Sequence, residues 1–365
     1  MLQVDINVPG SEARSYCIRI ASGLLDSILD QISRDLPAKA LFIVTDVNLV
    51  RSGILDRLHP AADIPRFIID PPGEISKHMG TVTSILEAME RANLGRDCAV
   101  IALGGGTVGD IAAFAASVFK RGVPVAQIPT TTLAQADSAI GGKTGVDSTI
   151  SKNAYGTFWH PAAVFMDVDC LQTLDQRQYR AGLVESIKHG MIADQGLFSY
   201  IEQRLDAILA CDPTAMTHLA YSNCRIKGRI VEQDPDEKNL RRVLNYGHTI
   251  GHAVEAASRY QLLHGEAVAI GLVAAGMIEV TLGLGQDGRL ERLEELLHRI
   301  GMPTRISPYA TAQQVMELLA YDKKAIDRKP RFVLTTRLGQ VYCSAGQWAV
   351  EVDRKVVEEV IKRLL

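Results

Sequence analysis

Apolar residues in the first half of the chain recur as short, partly β-branched runs. These are Ala40 to Val44 (ALFIV, ending at Thr45-Asp46), Cys98 to Leu103 (CAVIAL) and Val123 to Ile128. Between the first two, Val82, Ile85, Leu86 and Met89 are spaced three and four apart within Thr81 to Asn93, which predicts a helix with one buried face. Strand, helix and strand at this spacing imply a Rossmann-like parallel sheet. From about Thr173 the pattern turns to long helical segments: Gln176 to Ala193, Leu197 to Ala210 and Thr214 to Val231, then a histidine-bearing helix and its successor. A β-like piece, Arg331 to Val341 with a turn at Leu338-Gly339, precedes a final amphipathic helix, Val352 to Leu365. The expectation is two domains, an α/β domain over residues 1–172 and a mainly α-helical one over residues 173–365, sharing an extensive interface with a cleft in which ligands favour binding.

Composition narrows the class of partner. At 365 residues, 47% hydrophobic and 22% charged, the chain has material for two globular cores. A net charge of -3 argues against nucleic acid or a membrane surface and leaves a small molecule as the expected partner. Six cysteines are scattered without a CxxC pair, as in a cytoplasmic protein with reduced thiols. The opening residues read as an alternating strand rather than a secretory signal. The most apolar run, Ala267 to Leu284, contains Glu279 and reads as a buried core helix rather than a membrane span.

Candidate chemistry concentrates in two places. Asn245 to Glu266 holds three of the nine histidines. His248 and His252, four apart among Ile250, Ala253, Val254 and Ala257, project from one helix face, and His264 follows a short polar break at the start of the next helix. Such pairs are more often packed than metal-bound, but two or three imidazoles with an upstream acid suit a divalent transition metal of the zinc type. The second place is GGGTVGD at 104–110, where Gly104, Gly106 and Gly109 follow a strand and open a helix, as a dinucleotide turn requires. No ribose-binding acid follows about twenty residues on, so Asp46, Glu74 or Lys77 would have to serve, and a simple tight turn remains an equal reading. GGKTG at 141–145 is no P-loop, because the residue six before Lys143 is Asp137 rather than glycine. Lys143, Lys152, Lys188, Lys227, Arg241 and Lys323-Lys324 are further cations, of which Lys188 stands out by lying three residues after Glu185 in an apolar helix.

The motifs GGGTVGD, PTTTLAQADSAIGGKTG, SKN, GLVESIKHG, VLNYGHTIGHAVE and HGEA, in this order, resemble the 3-dehydroquinate synthases of the sugar phosphate cyclase superfamily over roughly residues 40 to 345. The resemblance implies an N-terminal NAD-binding domain and a C-terminal metal- and substrate-binding domain. It makes Glu185, His248 and His264 the ligands of a zinc or cobalt ion and leaves His252 to the substrate, a different set from the helix-face pair. Lys143, Asn153, Lys227, Arg241, Asn245, His252 and Lys324 would hold a sugar acid phosphate, with Asp137 and Lys188 close to the reacting ring. Arg121 would be lent across a homodimer. Asp46, Asn48, Glu74, Lys77, Gly104, Gly105, Gly106, Thr107, Asp110, Thr130, Thr131 and Lys152 would bind NAD.

The implied reaction converts 3-deoxy-arabino-heptulosonate 7-phosphate to 3-dehydroquinate by transient oxidation, phosphate elimination, re-reduction and aldol closure. Asn245 before GHT, where valiolone-type enzymes tend to Asp and inosose-type to Glu, suits a carboxylated substrate, as do His252 and Lys227. A sibling cyclase, an amino-substrate variant included, and a metal- and NAD-dependent polyol dehydrogenase remain alternatives.

Overall fold

A computed structural model describes residues 1–6, 15–36, 38–285, 288–321 and 330–365. The chain divides into two compact units, Met1–Asp175 with Cys211–Pro235, and Gln176–Ala210 with Asp236–Leu365.

In the first unit the elements run β1 (Leu2–Ile6), β2 (Tyr16–Ala21), α1 (Ile28–Asp35), β3 (Ala40–Asp46), α2 (Val47–Arg51), α3 (Ile54–Arg57), β4 (Arg66–Ile69), α4 (Met79–Arg91), β5 (Cys98–Gly104), α5 (Gly106–Val118), β6 (Val125–Pro129) and β7 (Ala163–Asp167). The strands form one sheet in the order β1-β2-β7-β6-β5-β3-β4, parallel except for the β1/β2 edge pair. The central strands are apolar on both faces because helices cover both. Phe42, Val44, Val100 and Ala102 pack under α4 and α5 with Val82, Ile85, Met89, Ile111 and Ala112. Ile43, Ile101 and Leu103 pack on the other side with Ile28 and Ile32 of α1, Leu49 of α2 and Ile54 and Leu55 of α3. After β3 the chain steps outward to β4, then returns to place β5 on the other flank of β3, so the strand order reverses between them. Helices after β3 and β5 therefore leave on opposite faces, opening a crevice at their carboxyl ends.

The second unit begins with α6 (Gln176–Ala193) and α7 (Gln195–Leu209). The next helix, α8 (Pro213–Gln233), belongs to the first unit, although its stretch falls in the second domain of the sequence reading. Its apolar residues extend around the helix, and there Cys224 meets Met166 of β7 at 3.6 Å while Gly228 faces Ile6 of β1. The second unit resumes with α9 (His248–Ala257), α10 (His264–Thr281), α11 (Arg289–Ile300) and α12 (Ala312–Tyr321). It closes with β8 (Arg331–Phe332), β9 (Thr335–Arg337), β10 (Gln340–Val341), β11 (Val350–Glu351) and α13 (Arg354–Arg363). The single β-like piece expected over 331–341 is two ladders. β9 and β10 form the hairpin around Gly339, while β8 pairs with β11. α10 is the one helix, among the described residues, long and apolar enough to cross a membrane, and it is 83% buried. It is apolar on every side because α6, α9, α11 and α13 surround it.

Candidate metal centre and nucleotide turn

Three helices of the second unit bring the metal candidates together. α6 carries Glu185 and Lys188; His248 and His264 are the first residues of α9 and α10. Glycine permits the close approach. A Cβ on Gly271 of α10 would lie 1.9 Å from the Gly247 oxygen, and one on Gly251 of α9 would lie 3.1 Å from the Ala267 oxygen. The start of α10 is further fixed by Glu266, which accepts from the Leu263 amide at 2.8 Å and takes both carboxylate oxygens to Arg177 at 2.7 Å each.

Glu185 is 1% exposed. Its Oε2 forms an ion pair with Lys188 Nζ, and neither carboxylate oxygen makes a hydrogen bond among the described residues. Oε1 lies 3.7 Å from His248 Nε2 and 3.6 Å from His264 Nε2. Two ligands of one tetrahedral ion at about 2.0–2.1 Å stand roughly 3.3–3.4 Å apart, so this spacing fits a shared divalent cation. The tautomer argues the same way. Nδ1 of His248 faces the Tyr246 carbonyl at 3.0 Å and donates to it, leaving the Nε2 lone pair aimed at a carboxylate oxygen. Burial, reinforced by Lys188, holds His248 well below the ordinary imidazole range and therefore neutral. Two acceptors facing one point need a cation between them.

Charge at the centre is unevenly spread. Burial alone would raise Glu185, but Lys188, with His264 beside it, outweighs burial and holds the carboxyl well below its usual value. Burial opposes charge on His264 as well, yet the carboxylates of Glu185 and Glu255 on either side of the ring push it up to about 9. A metal ion must displace that proton. His252 completes the group: its ring centroid is 5.1 Å from that of His248 and 5.6 Å from that of His264, and ligand atoms of all three imidazoles lie within 4.8 Å of one another. It is the exposed member, and Oε1 of Glu185 pairs with the other two. Arg241, 1% exposed, and Asn245 lie in the turn leading into α9, where the Asn245 amide reaches Glu237 at 3.4 Å.

The glycine turn of the first unit lies at the carboxyl ends of β5 and β6, beside the crevice between β3 and β5. Gly104 is required by packing, since an added Cβ would meet Val108 at 2.6 Å, and Gly105 is tightly placed, with Thr131 3.0 Å from an added Cβ. Gly109 lets α5 close on the sheet, where Gln127 would be 2.8 Å from a Cβ. Thr130 donates its amide to the Gly104 oxygen at 3.0 Å, joining the two strand ends. Asp46 stands at the end of β3 across the crevice and caps α2 through Oδ1, accepting from Asn48 and Leu49 at 2.8 and 3.2 Å. A strand–glycine turn–helix at a reversal of strand order, with an acid on the facing strand, fits a dinucleotide.

Beside the turn, Glu74 accepts from Thr107 at 3.3 Å and pairs with Lys152 at 3.3 Å. Lys77 joins Asp110 and Asn153 at 2.7 Å each, and burial, which would lower it, is outweighed by the carboxylates of Asp110 and Glu74, which hold it above its usual range. Lys227 of α8 meets Asp137 through the carboxylate at 2.7 Å and the main-chain oxygen at 2.5 Å. Lys143 is exposed in the following loop, bridged to Phe158. Arg121 is placed apart from these, beyond the far end of α5 and just before β6. Lys324 lies outside the described residues.

The motif reading did not single out Glu255. It lies seven residues after His248 and hence on the same helix face, which is the signal that could have found it.

Comparison with known proteins covers both halves of the chain. A family model for the 3-dehydroquinate synthase N-terminal part matches residues 67–181, and one for the C-terminal part matches residues 182–325. The 3-dehydroquinate synthase of Ruminiclostridium cellulolyticum is 45% identical over 346 residues, covering 94% of this chain and 95% of that one. A solved 2-deoxy-scyllo-inosose synthase complexed with carbaglucose-6-phosphate, NAD+ and Co2+ has a TM-score of 0.90 at 26% identity, with 100% of each chain covered. ValA, a 2-epi-5-epi-valiolone synthase from Streptomyces hygroscopicus with NAD+ and Zn2+ bound, has a TM-score of 0.86 at 28% identity, covering 98% and 99% of the two chains. With both family models matched and this identity sustained along nearly the whole length, the chain belongs to the 3-dehydroquinate synthase family.

Proposed function

We propose that the chain converts 3-deoxy-arabino-heptulosonate 7-phosphate to 3-dehydroquinate and inorganic phosphate, using NAD and one zinc or cobalt ion, as a cytoplasmic homodimer. The observation that carries this choice over the sibling cyclases is the contrast in likeness: 45% identity to a 3-dehydroquinate synthase against 26% and 28% to the inosose and valiolone enzymes. When bound, the metal supplies a Lewis acid and the nicotinamide a reversible hydride acceptor.

The chain's own residues do the rest. Glu185, His248 and His264 hold the metal through the three atoms that already face one point. Lys188, 1% exposed, keeps Glu185 ionised and offers a proton donor beside the reacting ring. Lys227 orients Asp137, the other group assigned to that ring. Lys143, Asn153, Lys227, Arg241, Asn245, His252 and Lys324 meet the phosphate and carboxylate. Such a set would desolvate several cations without return on a neutral polyol, but suits a substrate carrying two anionic groups. Asp46, Asn48, Glu74, Lys77, Gly104 to Thr107, Asp110, Thr130, Thr131 and Lys152 hold NAD at the strand-order reversal.

The reaction is redox-neutral, which gives the test. With the seven-carbon acid phosphate and sub-stoichiometric NAD, inorganic phosphate should rise well beyond the NAD present while free NADH stays flat. Stoichiometric NADH without phosphate release would establish a dehydrogenase instead. Phosphate release only from a heptulose phosphate lacking the carboxylate would establish a sibling cyclase.

A further inference from the structure

We propose that Glu255 is a positioning residue of the metal centre, holding His264 through Nδ1 so that Nε2 meets the ion shared with Glu185 and His248. The inference rests on the metal reading above and adds a residue to it.

Glu255 is 7% exposed on α9, one helix away from the histidine it serves. Its Oε2 lies 3.3 Å from His264 Nδ1, while the opposite ring nitrogen lies 3.6 Å from Glu185 Oε1. The imidazole thus lies between carboxylates on two different helices, hydrogen-bonded to Glu255 at Nδ1 and facing Glu185 with Nε2. Burying a carboxylate is costly unless it is paired, and the pairing with His264 offsets part of that cost. Accepting from Nδ1–H commits the Nε2 lone pair to the metal side and makes it a better donor. His248 shows the contrast, since its Nδ1 meets a neutral main-chain carbonyl, that of Tyr246, at 3.0 Å. Its hold follows from the backbone and no side-chain change can remove it. For His264 the hold is a side chain, and it can be removed.

The test is zinc affinity of the full-length protein by competition with a chromogenic chelator, together with the visible spectrum of the cobalt form and thermal unfolding of the metal-free protein. Glu255→Ala should weaken zinc binding by about 10–100-fold, the range typical of residues that orient metal ligands. It should also shift the cobalt bands. Glu255→Gln keeps the size and an acceptor but loses the charge, so it should restore affinity to a value between Glu255→Ala and the parent. Equal zinc affinity in the parent and both variants overturns the inference. So does a loss confined to Glu255→Ala that accompanies loss of cooperative unfolding, with Glu255→Gln binding as the parent does. A parent protein that holds no zinc or cobalt overturns the metal reading itself, an outcome distinct from a parent and variants that bind equally.

Discussion

Gly265 seats its Cα against the carbonyl of Ala181, so close that a Cβ there would stand 1.9 Å from the oxygen. Gly265 follows His264 on α10, and Ala181 precedes Glu185 by one helical turn on α6. The contact therefore sets the separation of two metal candidates. Gly265→Ala cannot be absorbed by a rotamer change, because the obstacle is backbone. It should lower stability by about 1–3 kcal/mol, as overpacking does. It should also weaken zinc binding by forcing α10 off α6, read by thermal unfolding and chelator competition on the same samples. Parental zinc affinity in a folded Gly265→Ala protein would contradict this account.

The ligand set makes a sharper prediction. Glu185→Ala, His248→Ala and His264→Ala should each strip the metal and the activity. His252→Ala should keep the metal while losing activity, since Oε1 of Glu185 pairs with His248 and His264. Metal analysis in which His252→Ala loses the ion and His264→Ala retains it would restore the simple helix pair of positions four apart.

A buried ion pair braces α10 farther along. Arg289 donates to Glu279 Oε2 through Nη2 at 3.0 Å and Nε at 3.2 Å, with both side chains 3% exposed or less, and Thr335 donates its amide and hydroxyl to the other oxygen. Arg289→Ala strands a buried carboxylate and should cost about 3–5 kcal/mol. The exposed pair Arg354–Glu358, four apart on α13, should be worth only about 0.3–0.5 kcal/mol. Denaturant unfolding of Arg289→Ala and Arg354→Ala measures both, and comparable losses would refute the distinction.

Arg121 lies past the end of α5, a helix of 13 residues that starts at the glycine turn. At about 1.5 Å per residue the helix carries the chain roughly 20 Å, to the amino edge of the sheet. Arg121, exposed there in a left-handed conformation with φ of 72°, is far from the carboxyl-edge crevice of its own unit. If it serves the active site of a partner subunit, mixing Arg121→Ala chains with His264→Ala chains should restore part of the activity, because hybrid dimers contain one intact site. No recovery, with subunit exchange demonstrated, would rule that role out.

The sequence determined by itself what depends on local periodicity. The apolar runs at Ala40–Val44 and Cys98–Leu103 could be read as strands because both faces of a covered parallel strand must be apolar. His248 and His252 could be placed on one helix face because the helical repeat fixes that geometry without reference to the rest of the chain. Tertiary structure decided everything that depends on which faces meet. A stretch of helix such as α8 carries no mark of the unit it will join; contacts with β1 and β7 settled that. Likewise the i, i+4 rule favours His252 as the partner of His248, yet the carboxylate that faces His248 comes from α6 and faces His264 too. The helical repeat says nothing of what Glu255 meets; α10, laid against α9, puts an imidazole nitrogen beside it. Periodicity states which way a side chain points along its own helix. What it points at is set by close glycine contacts between distant segments, and those distances exist only in the folded chain.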